Sequence, residues 1–558
     1  MDIQGNIVDI EKRRVFPGTV HVEHGRIKSI ITDPGYEIND ALSTSRPFIL
    51  PGFVDAHIHL EMTHVEPSEY VRLAVSKGTV GAVADCHDVV NVLGMKGEEA
   101  LIANAKKVPF HFGFSAPSTL VKGVYELDDV EKLLAKKEVT NLGELQNFPD
   151  VLLHERWVQN ELAFARKYHK PADGSSPGLT GEKLDEYCAS EIATDHWCTS
   201  YDNALEKIHH GMSVILQIKK LANLTSIFPL FKEFGGKLMF SGQNMYTPAI
   251  ASGYIDAAVE KCVTSGGDLF GILMAACITP VKQYKLDVGT LHEGDSADFI
   301  LVGNLEHFEV KATFIRGKCV YSNMKEYVPC KTRFHKMSAV NKFNAVPLSE
   351  EDLQVSAFSP TMEKLHSCEL QPAVNVIAVC DGESNTVRSM LLLREKYGFL
   401  NADVSQDCIK VVLYDRYHGK TKPAVAFIHG FGIKTGAAAM SVSHDAHNII
   451  AVGVEDRDIV IAINRVVALK GGIALSVRGK IRSELPFPIA GLMSNKPFEQ
   501  VNSKFDELYS LFKGEMGCTL SYPIETLSSI ANPQLPSLKL TLEGLMNVVE
   551  QEIVPLVP

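Results

Sequence analysis

At 558 residues the chain is too long for one hydrophobic core and suggests two or three domains. Its composition, 45% hydrophobic and 22% charged with a mean hydropathy of +0.02, is that of an ordinary soluble protein. A net charge of −12 and a pI near 5.9 argue against a nucleic-acid backbone as partner, and no basic run or zinc-knuckle spacing contradicts this. The first twenty residues lack the apolar core of a signal peptide, and no later run is long enough to span a bilayer, so no membrane partner is expected. Eleven cysteines without framework spacing read as reduced thiols of a cytoplasmic protein. Cys188, Cys198, Cys262 and Cys277 read as packed small hydrophobes rather than ligands.

Residues 1–50 alternate in the strand manner over 6–10, 19–22 and 25–30, with His24-Gly25 as the turn between two strands. The small sheet they predict needs a partner. GTLHEGDSADFILV at 289–302, followed by Val310 and the run 315–320, can supply it. The stretch PGFVDAHIHLE at 51–61 is a short apolar strand ending in a His-x-His pair, delivered by a Pro-Gly turn. Residues i and i+2 of a strand point to the same side, so His57 and His59 can aim nitrogens at one metal ion. Alone, the pattern is more often a pair of polar histidines on an exposed strand face; its surroundings must decide.

From 51 to about 285, strand-like and helix-like stretches alternate, the signature of a parallel α/β fold. Strands are predicted at 81–88, 109–114, 141–144, 192–196, 211–217 and 237–241. Polar residues recur at their C-terminal ends, where (β/α)8 barrels place active sites. No G-x-G-x-x-G follows a strand, so a doubly wound sheet is the weaker alternative. Residues 326–350 read as a basic linker (Lys331, Arg333, Lys336, Lys342), and the last two hundred as a further α/β region without internal repeats.

The stretch at 51–61 resembles the amidohydrolase superfamily, and the motifs that follow it resemble, in order, those of the adenine deaminase family. HIHLE at 57–61 is similar to that family's H-x-H-I-E, DCHD at 85–88 with NVLG at 91–94 to D-P-H-E-I-x-N-V-x-G, and GE at 143–144 with NFP at 147–149 to G-E-M-M-N-F-P. DGSSPGL at 173–179 resembles D-G-H-x-P-G-L, and TDH at 194–196 resembles S-D-H-E. GFGIK at 430–434, HDAHN at 444–448 and LPFPIAGLM at 485–493 resemble the family's own C-terminal domain. The resemblance implies a (β/α)8 metal-dependent hydrolase barrel over 51–285. It implies a small flanking β-sandwich built from 1–50 and 286–325, and an adenine-deaminase-type C-terminal α/β domain over 350–558.

It also implies two metal ions at the barrel mouth, with His57 and His59 on one, His196 on the other, and Glu144 bridging them. Imidazole and carboxylate donors suit Mn2+, Fe2+ and Zn2+ alike. The implied reaction, in purine salvage, is hydrolysis of adenine to hypoxanthine and ammonia by a metal-activated hydroxide, with a carboxylate carrying the proton. The implied setting is a cytoplasmic enzyme with a small purine substrate, plausibly a homodimer.

The chain departs from the family at the reacting centre. Where the family has an Asp-Asp pair after the last barrel strand, this chain reads Ser241-Gly242-Gln243-Asn244. The fifth-strand histidine is Ser175, Trp197 takes an acidic position, and the R-E-G-S segment is Gln217-Ile218-Lys219-Lys220. His57, His59, Glu144 and His196 remain, enough for one ion rather than two. Glu144, His87 and Asp88 become the candidates for acid/base work. Asp85, His444, Asp445, His447 and Asn448 are candidates to support the ligands or touch substrate, although the last four could equally form a hydrogen-bonded turn. Asp55 and Glu61 could orient the histidines or cap a helix, and His64 reads as a loop histidine. Two main readings stay open: an adenine deaminase with a reduced centre, and a catalytically impaired relative that binds a purine or a partner chain. A different hydrolysis in the same pocket is a third.

Overall fold

In the computed structural model, which describes residues 1–33, 43–198, 200–223, 225–330, 335–357, 371–444 and 446–558, the alternating N-terminal residues become a meander. Its strands are β1 (Asp2–Asp9), β2 (Arg14–Glu23) and β3 (Arg26–Thr32). The two-residue turn between β2 and β3 puts His24 at φ 50° and Gly25 at φ 77°. Left-handed conformations at both positions give the twist that a tight hairpin requires. Next come β4 (Ser43–Pro51), then β5 (Phe53–His59), β6 (Thr79–Asp85), β7 (His111–Ala116), β8 (Val139–Leu145), β9 (Ala172–Gly174), β10 (Thr194–Asp195), β11 (Ser213–Gln217) and β12 (Leu238–Ser241). The first part closes with β13 (Phe299–Asn304), β14 (Val310–Ile315) and β15 (Lys318–Ser322).

The downstream strands return to the first ones. One seven-stranded sheet runs β15-β14-β13-β4-β1-β2-β3. β13 lies antiparallel to β4, with Ile300 opposite Leu50, and β4 lies parallel to β1. Ile3, Ile7, Val20, Ile49, Phe299, Leu301 and Phe314 form its core.

The eight strands β5–β12 make the barrel. β5 to β9 form one parallel sheet and β10 to β12 another. A parallel bridge between Ala172 and Ile192 and another between Ile58 and Gln243 join them into a ring. Every residue of β5 and β6 is buried, which is why β6 reads as a nearly continuous apolar run rather than an alternating one. The closing seam is specific. The Gln243 N–H donates to the His57 carbonyl (2.9 Å), the His59 N–H to the Gln243 carbonyl (3.1 Å), and the Ser241 hydroxyl to the His57 carbonyl (2.8 Å). At three residues, β9 is too short to show a period of two, and pattern alone did not single it out.

The chain divides into two compact units, residues 1–90 with 94–336, and residues 337–558 with 91–93. The second carries an eight-stranded sheet in the order Val387–Leu392, Ala373–Ala378, Ala424–His429, Cys408–Tyr414, Ile449–Gly453, Ala437–Met440, Gly472–Val477, Lys480–Pro486. The helix Asp456–Leu469 covers this sheet with Ile459, Ala462, Ile463 and Val466, spaced for one helical face. Inside this unit the guanidinium of Arg416, fully buried, donates to Asn341 Oδ1 (2.7 Å) and to the carbonyls of Ala490 (2.8 Å), His447 (3.2 Å) and Lys342 (3.2 Å). Among the described residues no helix is long and apolar enough to cross a membrane, and the ten described cysteines are unpaired.

Candidate metal centre

The C-terminal ends of β5, β6, β8, β9 and β10 converge at the barrel mouth with their titratable side chains buried. His57 and His59 face the same side, as the i, i+2 spacing requires, and their Nε2 atoms lie 3.2 Å apart. His57, His59 and Glu144 each bring one ligating atom within 4.8 Å of the others; His57, Asp173 and His196 do the same. The two groups share His57, whose ring lies 4.3 Å from that of His196, edge to face. His196 Nδ1 stands 3.8 Å from Glu144 Oε2, and its Nε2 stands 3.8 Å from Asp173 Oδ2, both beyond hydrogen-bond length. The four expected ligands thus fall in two groups that share His57, and Asp173 belongs to the second.

The hydrogen bonding of these atoms bears on what they could hold. His57 Nδ1, Glu144 Oε2 and both ring nitrogens of His196 are buried without a hydrogen-bond partner. Buried polar groups in proteins are nearly always paired, so a cluster of partnerless atoms on two imidazoles and a carboxylate fits a cation. The donor set, three nitrogens and an oxygen, suits Zn2+, Mn2+ or Fe2+.

Electrostatics agree. Burial drives His57 well below its usual range and His59 down to about 3, so both rings are neutral and their lone pairs are available. Burial raises the Glu144 carboxyl, with the Ser175 side chain opposing it. For His196 burial is the largest influence and lowers it, but Glu144 and Asp173 outweigh burial and lift the ring to about 9. An imidazolium here substitutes for a cation that two buried carboxylates call for.

Around this core, fixed contacts set the ligands' positions. Asp55 accepts the N–H groups of His57 and Gly242 (2.9 Å each) and the Tyr254 hydroxyl. His196 donates its N–H to the Gly174 carbonyl (3.0 Å), and its carbonyl accepts from the Gln217 amide (3.0 Å). Asp195 is not a ligand. It forms a fully buried ion pair with Lys207 (2.8 Å) and accepts from the Ser176 backbone (2.8 Å), bracing the loop that carries Ser175. Asp173 accepts from Thr194 (2.8 Å), Asn141 (2.9 Å) and Tyr284 (3.0 Å).

A second group adjoins on the Nδ1 side of His59. His59 Nδ1 and His87 Nδ1 are 3.1 Å apart, Asp85 Oδ1 is 3.2 Å from His87 Nδ1, and Asp88 Oδ1 is 3.1 Å from His87 Nε2. Glu61 accepts the Asp88 N–H (2.9 Å). Burial opposes charge on His87, yet Asp88 and Asp85 raise it well above its usual range.

The missing aspartates have a steric explanation at one position. A Cβ on Gly242 would sit 2.7 Å from Asp55 Oδ2 and 2.8 Å from the Tyr254 ring. On this backbone no side chain fits there. Gln243, at φ 40°, keeps its amide oxygen buried and without a partner. The bulky newcomers stay out of the ligand groups. Trp197 is 38% exposed with Lys220 Nζ 3.4 Å above its ring, and Lys219 Nζ lies 5.1 Å from the Tyr246 ring. His64 ends the turn after β5 at φ 58°, packed on Tyr246. In the second unit His447 and Asn448 serve the Arg416 cluster, Asn448 Oδ1 accepting the Arg416 N–H (3.2 Å), while His444 donates its N–H to the Ser528 carbonyl (3.3 Å). Asp445 lies outside the described residues.

Sequence reasoning missed Asp173 as a partner of His196 and Gly242 as a packing requirement. The first had a signal, a carboxylate at a strand's C-terminal end in an aligned motif. The second had none, because Asp55 and Tyr254 are nearly two hundred residues apart in sequence.

Comparison with known proteins follows the same division. The Amidohydrolase family matches residues 48–229 and 242–320, and the Adenine deaminase C-terminal domain matches 384–552. The chain is 36% identical over 561 residues to the adenine deaminase of Salinibacter ruber, covering 99% of this chain and 98% of that protein. It is equally identical to the adenine deaminase of Parabacteroides distasonis over 98% of this chain and 96% of the relative, and to that of Methanosarcina mazei over 99% and 98%. Among solved structures, the β-aspartyl dipeptidase of Fervidobacterium islandicum covers 60% of this chain and 100% of its own, at 15% identity and a TM-score of 0.45.

Proposed function

The chain belongs to the adenine deaminase family, and on that premise we propose that it hydrolyses adenine to hypoxanthine and ammonia at the barrel mouth. The observation that carries this is the close approach of His57, His59, Glu144 and His196 in two groups sharing His57, with partnerless atoms on His57, Glu144 and His196, on β-strand ends of a chain alignable from end to end with adenine deaminases. In the reaction a water oxygen bonds to C6 of the purine, the C6–N bond breaks, and the amine leaves with a proton from the water.

A divalent cation, Mn2+ first with Fe2+ or Zn2+ as alternatives, would supply Lewis-acid activation of the attacking water. His57, His59, Glu144 and His196 would hold it, and their number favours one ion. Glu144 is proposed as the group that accepts the water's proton and returns it to the leaving amine, because it groups with His57 and His59 and also stands 3.8 Å from His196. His87 and Asp88 stand beyond His59 and are the alternative carriers of that proton, with Asp85 orienting His87. The Ser175 hydroxyl stands where the family has histidine, beside Glu144, and can steady that carboxylate but not replace the lost ligand.

The division into 1–50 with 286–325, 51–285 and 350–558 belongs to the same proposal, supported by the shared sheet of β4 and β13. So do a cytoplasmic setting, supported by the unpaired cysteines, and a homodimer.

The test is ammonia release from adenine by protein loaded with Mn2+, beside a His59→Ala control. Turnover by the parent and none by the control is the expected result. Purine binding without turnover by the parent would sink the enzymatic reading and mark a relative retained for recognition.

A further inference from the structure

We propose that Glu61, His87 and Asp88 form a second divalent-cation site, separate from the His57, His59, Glu144 and His196 group and independent of whether adenine is the substrate. The parallel pairing of β5 with β6, with His59 opposite Asp85, sets the turn after one strand beside the helix start after the other. Glu61 lies in the turn Leu60–Thr63 and His87 opens the helix His87–Leu93, with Asp88 next. One ligating atom from each lies within 4.8 Å of the other two.

Two observations point to a ligand rather than to a closed hydrogen-bond cluster. Glu61 is 1% exposed; one oxygen accepts the Asp88 N–H, while Oε2 has no hydrogen-bond partner. Next, Asp85 Oδ1 accepts the backbone N–H of His87 (3.0 Å) and faces its Nδ1 (3.2 Å). That leaves Nε2 as the nitrogen turned to Asp88 and the site, the arrangement in which a carboxylate fixes the tautomer of a ligating histidine. The charge count goes the same way. Glu61, Asp85 and Asp88 set three buried carboxyl groups around the one ring of His87. Burying so much negative charge without a counter-ion is costly. Two carboxylates and one imidazole favour Mn2+ or Fe2+ over thiolate-seeking ions.

The site also bears on the first. His59, Asp85 and His87 form a third close group, with His59 Nδ1 3.1 Å and Asp85 Oδ1 3.2 Å from His87 Nδ1.

The deciding experiment uses full-length parent protein crystallised with MnCl2 and an anomalous difference map at the manganese edge. The proposal expects a peak about 2.0–2.3 Å from oxygens of Glu61 and Asp88 and from His87 Nε2. Peaks confined to the His57, His59, Glu144 and His196 group overturn it. In solution, bound Mn2+ per chain should fall by about one in Glu61→Gln and in Asp88→Asn relative to the parent. Unchanged stoichiometry in both would equally overturn it. If neither variant folds, the map on the parent decides. Adenine turnover by the parent, measured separately, tells failure of this site from failure of the deaminase proposal.

Discussion

Two buried polar clusters in this chain contrast in how their hydrogen bonds are met. Around Arg416 the guanidinium finds an amide oxygen and three carbonyls, each within 3.2 Å. At the barrel mouth, His57 Nδ1, both nitrogens of His196 and Glu144 Oε2 find none. Arg416, His447 and Ala490 in the one, and His57, His196 and Glu144 in the other, are all buried. The difference is between a network that completes itself and one that requires something from outside. An unpaired buried acceptor or donor costs about 1–3 kcal/mol, so a fold that keeps several must be compensated by what they bind.

The largest expected effect that would sharpen this contrast is on rate. Glu144→Gln should lower adenine turnover by about 10²–10⁴-fold while leaving the thermal midpoint unchanged or higher, because it removes a buried charge the fold does not use. A midpoint that collapses would place Glu144 with Arg416 instead. Next, Arg416→Met should cost about 3–5 kcal/mol in urea unfolding, by stranding the carbonyls it serves. Turnover per folded molecule should stay near the parent's; a selective loss of rate would break the contrast. Third, Mn2+ at a hundred times its dissociation constant should add about 2.7 kcal/mol to the stability of the parent, and less to His57→Ala. Equal gains in both would mean that the partnerless atoms are not what the ion meets.

The gentlest test concerns a satisfied group that still titrates. Lys539 is fully buried and donates to the carbonyls of Ser384 (2.9 Å) and Ser529 (3.1 Å), yet burial brings its ammonium down to about 8. Below that pH both folded and unfolded chains carry the proton, and the cost of burying it is complete. Between about 8 and the ordinary 10.5 the unfolded chain holds the proton and the folded one does not, so stability rises with pH. The slope is at most about 1.4 kcal/mol per pH unit and should vanish from denaturant titrations of Lys539→Met.

Legibility from sequence followed the range of the interaction. His57 and His59 were visible because two residues on one strand define a direction. Polar strand ends pointed to the barrel mouth, but Glu144 and His196 were singled out there only by the family motifs they resemble. Gly242 was not, since the space it leaves is taken by Asp55 and the Tyr254 ring. Arg416 gave no sign either. His447 and Asn448, legible only as either substrate candidates or a hydrogen-bonded turn, bond the arginine within their own unit. Local periodicity reports which way a side chain points, but not which distant group will meet it.

The pairing of β4 with β13 has a consequence for synthesis. The meander β1–β3 can close as soon as it leaves the ribosome, but β13 begins at residue 299 while β4 ends at residue 51. At 5–20 residues per second, the roughly 250 residues between them take about 12–50 s to emerge. Throughout that interval β4 offers an unpaired edge, and the barrel seam at Gln243 must form inside it. Nascent chains stalled before residue 299 should therefore be the aggregation-prone species, and chaperones should be retained until β13 docks.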